Sequence, residues 1–265
     1  MDRIDERVKI EYRQHIAVVS LDRPDKYNGL DMAMIQALDE AARALRKRRE
    51  LRGVVLHGEG AAFCAGLDFA SVLKRPGKLV AAFLPWWRKA NLFQRLCLAW
   101  RDLDVPVIAV THGYCFGGGL QLALGCDFRI SSPDCQFSIM EIQWGLIPDM
   151  GASVTLRELL PADQAMELTL TGRQFDAQEA LDKHLITRID DDPLQAALEL
   201  GETIAAHSPD AVAAAKRLFK TTRVSSERSA LRRERWLQLK VLLGSNQREA
   251  MKARMEKRDP EFKDR

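Results

Sequence analysis

Three consecutive glycines, Gly117, Gly118 and Gly119, follow the apolar run 107–110 and lead into an apolar segment, 120–124. A row of glycines carries an entropic penalty, so the backbone must need it. Two needs fit. One is a tight strand-to-helix turn packed on other backbone. The other is an anion site of bare peptide N–H groups at a helix start, where the macrodipole favours negative charge. A second small-residue loop, Phe63-Cys-Ala-Gly-Leu-Asp68, precedes this stretch, and one carboxylate, Glu141, closes the run 136–140 after it. Asp149 follows directly on Pro148. No HExxH, GxSxG or GxxxxGK[ST] motif and no closely spaced Cys/His ligand set occurs. His15, His57, His112, His184 and His207 show no metal-like spacing and read as surface or structural residues.

These groups need a scaffold. Residues 8–21 alternate and are rich in β-branched side chains, which predicts two short strands with a turn near Arg13-Gln14-His15. Asp31 is placed to cap a helix over 32–49. A buried strand is expected at 53–57, a helix within 85–103, and strands at 127–131 and 136–140. Residues 69–85 are poorly patterned, as in loops that cover a substrate. Helices are expected at 153–160 and 163–171, then from Asp176, where Glu179 completes a capping-box pattern. A short strand at 185–189 and an acidic connector, Asp190-Asp-Asp-Pro193, come next. From residue 194 the chain reads helical, with Ser208-Pro209 as a start signal and amphipathic basic helices over 211–220 and 227–257. The pattern is that of an α/β domain over 1–193 with a helical appendage over 194–265.

Composition sets the outer bounds. The 265 residues are 46% hydrophobic and 29% charged, enough apolar material for a sizeable core. A net charge of +3 points to neither nucleic acid nor membrane. Five cysteines without a CxxC pair suit reduced, buried thiols. The polar, acid-containing N-terminus lacks a signal core, and no apolar run reaches membrane-spanning length, so a cytoplasmic protein is expected. The basic runs 43–52 and 216–235 interleave acids and lack an aromatic platform, which disfavours nucleic-acid binding.

Taken in order, several motifs together resemble the crotonase superfamily, the enoyl-CoA hydratase/isomerase family. They are Arg23-Pro24…Asn28, Ala62-Phe-Cys-Ala-Gly-Leu-Asp68, His112-Gly-Tyr…Gly-Gly-Gly119, Cys126-Asp127, the Glu141 block, Leu170-Thr-Gly172 and Glu256-Lys-Arg-Asp-Pro-Glu-Phe262. The resemblance runs from about residue 8 to the C-terminus. It implies a crotonase-like ββα spiral core with a C-terminal helical trimerisation region, and a homotrimer or a hexamer built from two trimers. It implies an acyl-CoA substrate and no separate cofactor, coenzyme A being part of the substrate. The backbone N–H groups of Leu67 and Gly118 match the pair that holds the thioester oxygen in relatives. Ala65 matches the carbonyl that meets the adenine amine, and Lys257 a lysine given to the nucleotide. Lys26 stands one residue past the usual lysine position, which holds Asp25.

The acid/base positions depart from the hydratase pattern. A hydratase of this family has one glutamate two residues after its glycines and another in the later block. Here Gln121 stands at the first position and Glu141 at the second. An amide can hydrogen-bond a water but cannot act as a carboxylate base. Asp149 matches an acid of the family's dienoyl-CoA isomerases, which also share an Ala-Gly-(Ile/Leu)-Asp loop; those enzymes keep an acid where Gln121 stands. One carboxylate that removes and returns a proton suffices for a double-bond shift, so isomerisation is favoured, with Glu141 and Asp149 as candidate shuttles. Hydration with Gln121 holding a water, and a non-catalytic CoA-binding scaffold, are the alternatives. Phe83, Trp86, Trp87, Phe93 and Trp144 are candidate pocket residues, and the apolar faces at Leu231, Trp236, Leu239 and Leu242 pack either a trimer interface or the adjacent core.

Overall fold

The computed structural model describes residues 2–72, 77, 82–83 and 89–265. Strands β1 (Asp2–Ile4), β2 (Val8–Arg13) and β3 (Ile16–Leu21) form an antiparallel meander. Strands β4 (Gly53–Gly58), β5 (Val107–Thr111), β7 (Phe128–Ser131) and β10 (Arg188–Ile189) then add in parallel, giving the order β1-β2-β3-β4-β5-β7-β10. A smaller sheet, β6-β8-β9, is made by Tyr114–Phe116, Gln136–Ser138 and Gln174–Asp176.

Both faces of the large sheet are covered, which explains the near-continuous apolar strands. On one face Ala17, Val19, Val54, Leu56 and Ala109 pack with the helices Met32–Leu45, Leu92–Arg101 and Gly118–Leu124. On the other, Ile16, Val18, Val55, Ile108, Val110 and Ile130 meet Ala196, Ala197 and Leu198 of the helix Pro193–Ala205. The helices Pro209–Thr222, Glu227–Leu242 and Ser245–Glu256 follow and pack on one another.

Most expected starts hold at their caps. Asp31 accepts from the Met34 N–H, Asp176 from Glu179 and Ser208 from Ala211. Several bounds differ. The first helix ends at Leu45, and Arg48 and Arg52 of the basic run pair with Glu50 and Asp264. The helix expected within 85–103 is described from Leu92, where Asn91 and Gln94 form a capping box. The run 227–257 splits at Gly244, which caps the last helix. The strand expected over 185–189 shortens to Arg188–Ile189, because Leu185 and Ile186 turn back onto the Ala180 carbonyl.

Leu231, Trp236, Leu239 and Leu242 are exposed, so the chain's own core is not what covers them; only Leu237 of that helix is buried. All five cysteines are buried free thiols. Burial pushes Cys64, Cys126 and Cys135 up to about 12, and Cys97 and Cys115 well above the usual thiol value. No helix among the described residues is long and apolar enough to cross a membrane.

Candidate active site

The glycine turn is a tight strand-to-helix turn, and it leaves one peptide N–H without an acceptor among the described residues. Gly119 must be glycine for packing: a Cβ there would lie 2.6 Å from the Cys64 carbonyl oxygen. Gly117, at φ 50°, turns the chain from β6 into the helix Gly118–Leu124. Its N–H is used by the Ser138 carbonyl, at 2.9 Å. Gly118 is the first helical residue, where an N–H has no intrahelical acceptor.

The partner loop is held edge-on to this turn. Leu30 donates to the Gly66 carbonyl, at 2.8 Å, and accepts from the Asp68 N–H, at 3.1 Å. That parallel bridge turns the Leu67 N–H to the opposite side. A Cβ on Gly66, at φ 93°, would stand 2.9 Å from the Phe116 carbonyl oxygen and 3.7 Å from Gly118 N. The loops thus approach as only glycine allows, and neither the Leu67 nor the Gly118 N–H has a hydrogen-bond partner among the described residues. Two unpaired donors on loops this close can hold an oxyanion.

Two braces whose bonds the sequence did not display fix the Leu67 loop. Asn28, fully buried and at φ 55°, donates to the Glu59 and Ala62 carbonyls at 2.9 and 2.8 Å and accepts from the Arg23 N–H at 2.8 Å. Arg23 reaches Asp68 at 2.9 Å. Burial raises the Asp68 carboxyl, but hydrogen bonds from Ser71 and Arg23 outweigh it and hold the group below its ordinary value. The motif Arg23-Pro24…Asn28 was visible; the Glu59 and Ala62 carbonyls and Asp68 that it binds lie more than thirty residues away and carry no local signal. Asn28→Ala leaves three backbone groups unpaired and is expected to lose about 3 kcal/mol in urea unfolding. An unchanged midpoint would show that the loop does not depend on Asn28.

Glu141 opens a single 3-10 turn, Glu141–Trp144, rather than ending a strand. Gly172 packs behind that turn at φ 59°; a Cβ there would meet Ile142 Cγ2 at 2.8 Å. The Gly172 carbonyl accepts from Ser138 Oγ and Gln143 Nε2. The carboxylate lies over the glycine turn, with Glu141 Oε1 3.3 Å from the Cβ position of Gly117, next to the free Gly118 N–H. Gln121 Nε2 donates to Glu141 Oε1 at 2.6 Å, and Gln121 Oε1 accepts from the Met150 and Ala152 N–H groups at 2.8 and 3.3 Å. Glu141 Oε2 is buried and has no hydrogen-bond partner among the described residues.

Burial raises the Glu141 carboxyl above the ordinary glutamate value; its own backbone and the Gln121 hydrogen bond pull the other way, and the Asp149 charge adds to the rise. Asp149 is half-buried, which lifts its carboxyl as well. Two carboxyls raised by burial, beside two free peptide donors, can move a proton on a group whose oxygen is held as an anion.

The remaining candidates fall into two places. The Tyr27 carbonyl accepts the Ala65 N–H at 2.9 Å, which sets exposed Lys26 near Ala65 at the edge of the Leu67 loop. Lys257 caps the helix Ser245–Glu256, in the packed group of C-terminal helices. The Phe69 and Trp144 rings meet with centroids 4.5 Å apart, linking the segment after Leu67 to the turn of Glu141. The Phe83 and Phe93 rings meet at a tilt, with centroids 5.0 Å apart. Trp86 and Trp87 lie outside the described residues.

Known proteins are similar to this chain over nearly its whole length. The enoyl-CoA hydratase/isomerase family model matches residues 11–265. Enoyl-CoA hydratase EchA19 of Mycobacterium tuberculosis is 33% identical over 259 residues, 97% of this chain and 96% of that protein. The mitochondrial Delta(3,5)-Delta(2,4)-dienoyl-CoA isomerase of Mus musculus is 32% identical over 256 residues, 93% of this chain and 78% of that one. The crystal structure of an enoyl-CoA hydratase from Bacillus anthracis superposes with a TM-score of 0.89 at 29% identity, covering 97% of this chain and 99% of that chain. With the ordered glycine loops and the carboxylate that overhangs them, this extent of match leaves one assignment: the chain belongs to the enoyl-CoA hydratase/isomerase family.

Proposed function

We propose that this acyl-CoA enzyme shifts a carbon–carbon double bond along an unsaturated acyl-CoA. The thioester oxygen accepts from the Leu67 and Gly118 N–H groups. Glu141 Oε2 removes a proton α or γ to the thioester, and the electron pair of that C–H bond moves into an enolate whose charge rests between the two donors. Glu141, or Asp149 beside it, returns a proton to the other carbon. Atoms and electrons balance without water or an oxidant. Lys26 and the Ala65 carbonyl hold the nucleotide end, joined by Lys257, and the exposed face at Leu231, Trp236, Leu239 and Leu242 joins subunits of a trimer.

The observation that carries this reading is the state of Gln121. It stands where a second carboxylate would activate water, and its carbonyl is already taken by two backbone donors. Asp149, with its raised carboxyl, supplies a second acid on the carbon side instead. Incubation with a 3-enoyl-CoA and, separately, with crotonyl-CoA tests it. Conversion of the first to the conjugated 2-enoyl thioester is expected, with hydration of the second slower by about a hundredfold. Hydration of crotonyl-CoA as fast as isomerisation would establish the hydratase reading.

A further inference from the structure

We propose that Gln121 is the positioning residue of this site: its amide fixes one oxygen of Glu141, leaves the other to work, and ties the Asp149 loop to the turn that carries the Gly118 N–H. The inference rests on Glu141 as the proton-carrying group, whichever reaction that proton serves.

The amide orientation is dictated by its neighbours. Two backbone N–H groups, of Met150 and Ala152, converge on one end of the side chain, so that end is the carbonyl oxygen. The NH2 end therefore faces Glu141 and donates to Oε1 at 2.6 Å. Reversed, the buried amide would set its NH2 against two N–H donors and its oxygen against the Glu141 carboxylate. The backbone N–H of Gln121 bonds to the Gly117 carbonyl, at 3.0 Å, on the same turn that presents Gly118. One residue thus touches the carboxylate, the loop that follows Asp149, and the glycine turn.

The choice of amide has a direction. A donor to a carboxylate favours its ionised form, the form that can take a proton. Among the described residues, the titratable groups that interact with the Glu141 charge are Asp149, from the loop before the helix Ala152–Leu159, and the Cys97 thiol, from the helix Leu92–Arg101. Asp149 opposes ionisation, and Cys97, raised by burial, stays protonated. No cation among the described residues acts on the Glu141 carboxyl. Gln121 is therefore the one side chain among the described residues that donates to Glu141. A carboxylate in this position would place two acids in hydrogen-bond contact, and such a pair shares a proton.

Infrared difference titration of the Glu141 carboxyl, taken against Glu141→Gln, reads this directly and needs no turnover. Gln121→Met removes the donor at similar volume, and the Glu141 titration is expected to move about one pH unit higher. Gln121→Glu keeps an oxygen for the Met150 and Ala152 N–H groups and is expected to move it further. The acid limb of enoyl-CoA turnover follows in the same order, with kcat at neutral pH down about tenfold in Gln121→Met and KM within about threefold. A merely space-filling Gln121 would lower kcat with both pH midpoints unmoved; that result, in a Gln121→Met protein with a wild-type melting curve, overturns the proposal. Fast hydration of crotonyl-CoA would overturn the isomerase reading and leave the titration order intact.

Discussion

Glu141→Gln is expected to lower kcat about a thousandfold while KM stays within about threefold. The replacement keeps the shape, and its carbonyl oxygen can still accept from Gln121 Nε2, so the turn Glu141–Trp144 has no reason to move. What disappears is the one group that can take a carbon proton at Oε2. The same variant makes a stability prediction of opposite sign. The folded-state carboxyl of Glu141 is raised above its unfolded value by burial. Such a group stabilises the fold at low pH, and that contribution is lost as pH rises through the folded value; above it, the buried charge opposes folding. Glu141→Gln is therefore expected to melt at a higher temperature than the wild type near neutral pH, with the gap closing on acidification. Full activity in the variant would remove Glu141 from the chemistry. A melting temperature lowered by several degrees would show that the carboxylate is structural.

The second large effect concerns a donor that has no side chain to delete. Proline is tolerated at the first position of a helix, where its missing N–H breaks no intrahelical bond. Gly118 occupies that position. Gly118→Pro removes the N–H, and Gly118→Ala is its control, since both introduce a Cβ. That Cβ would meet Met150 Sδ at 2.9 Å and Leu30 Cδ1 at 3.0 Å, both ends of flexible side chains. The alanine variant is expected to keep most of its activity. The proline variant is expected to lose a further factor of roughly 100 to 1,000 in kcat, the amount associated with one oxyanion donor. Equal rates in the two variants would show that the Gly118 N–H holds nothing.

Much of this arrangement was legible in the chain itself. Helix starts were readable because caps are local: Asp31, Asp176 and Ser208 each bond within three residues. The two-sided sheet was readable as apolar runs. Gln121 was readable as a departure from a pattern, but its meaning was not. In the sequence it is an amide that could hold a water; in the fold its carbonyl is claimed by the Met150 and Ala152 N–H groups, about thirty residues on. The same kind of separation hid the partners of Asn28 and Arg23, the Ala62 carbonyl and Asp68. The strand assigned through Met140 stops at Ser138, because Gly172 draws the following residues into a turn instead. Long-range polar satisfaction has no period, so no window of sequence displays it.

The buried cysteines have a consequence for measurement. Cys64 lies directly against Gly119 on the glycine turn, and burial holds its thiol at about 12. An alkylating reagent therefore meets almost no thiolate in the closed protein. Modification must wait until the segment opens, so its rate counts opening events rather than surface encounters. With no engineered label, the chain carries a clock set into the wall of its own glycine turn, and a bound ligand that slows the clock reports how firmly that wall is shut.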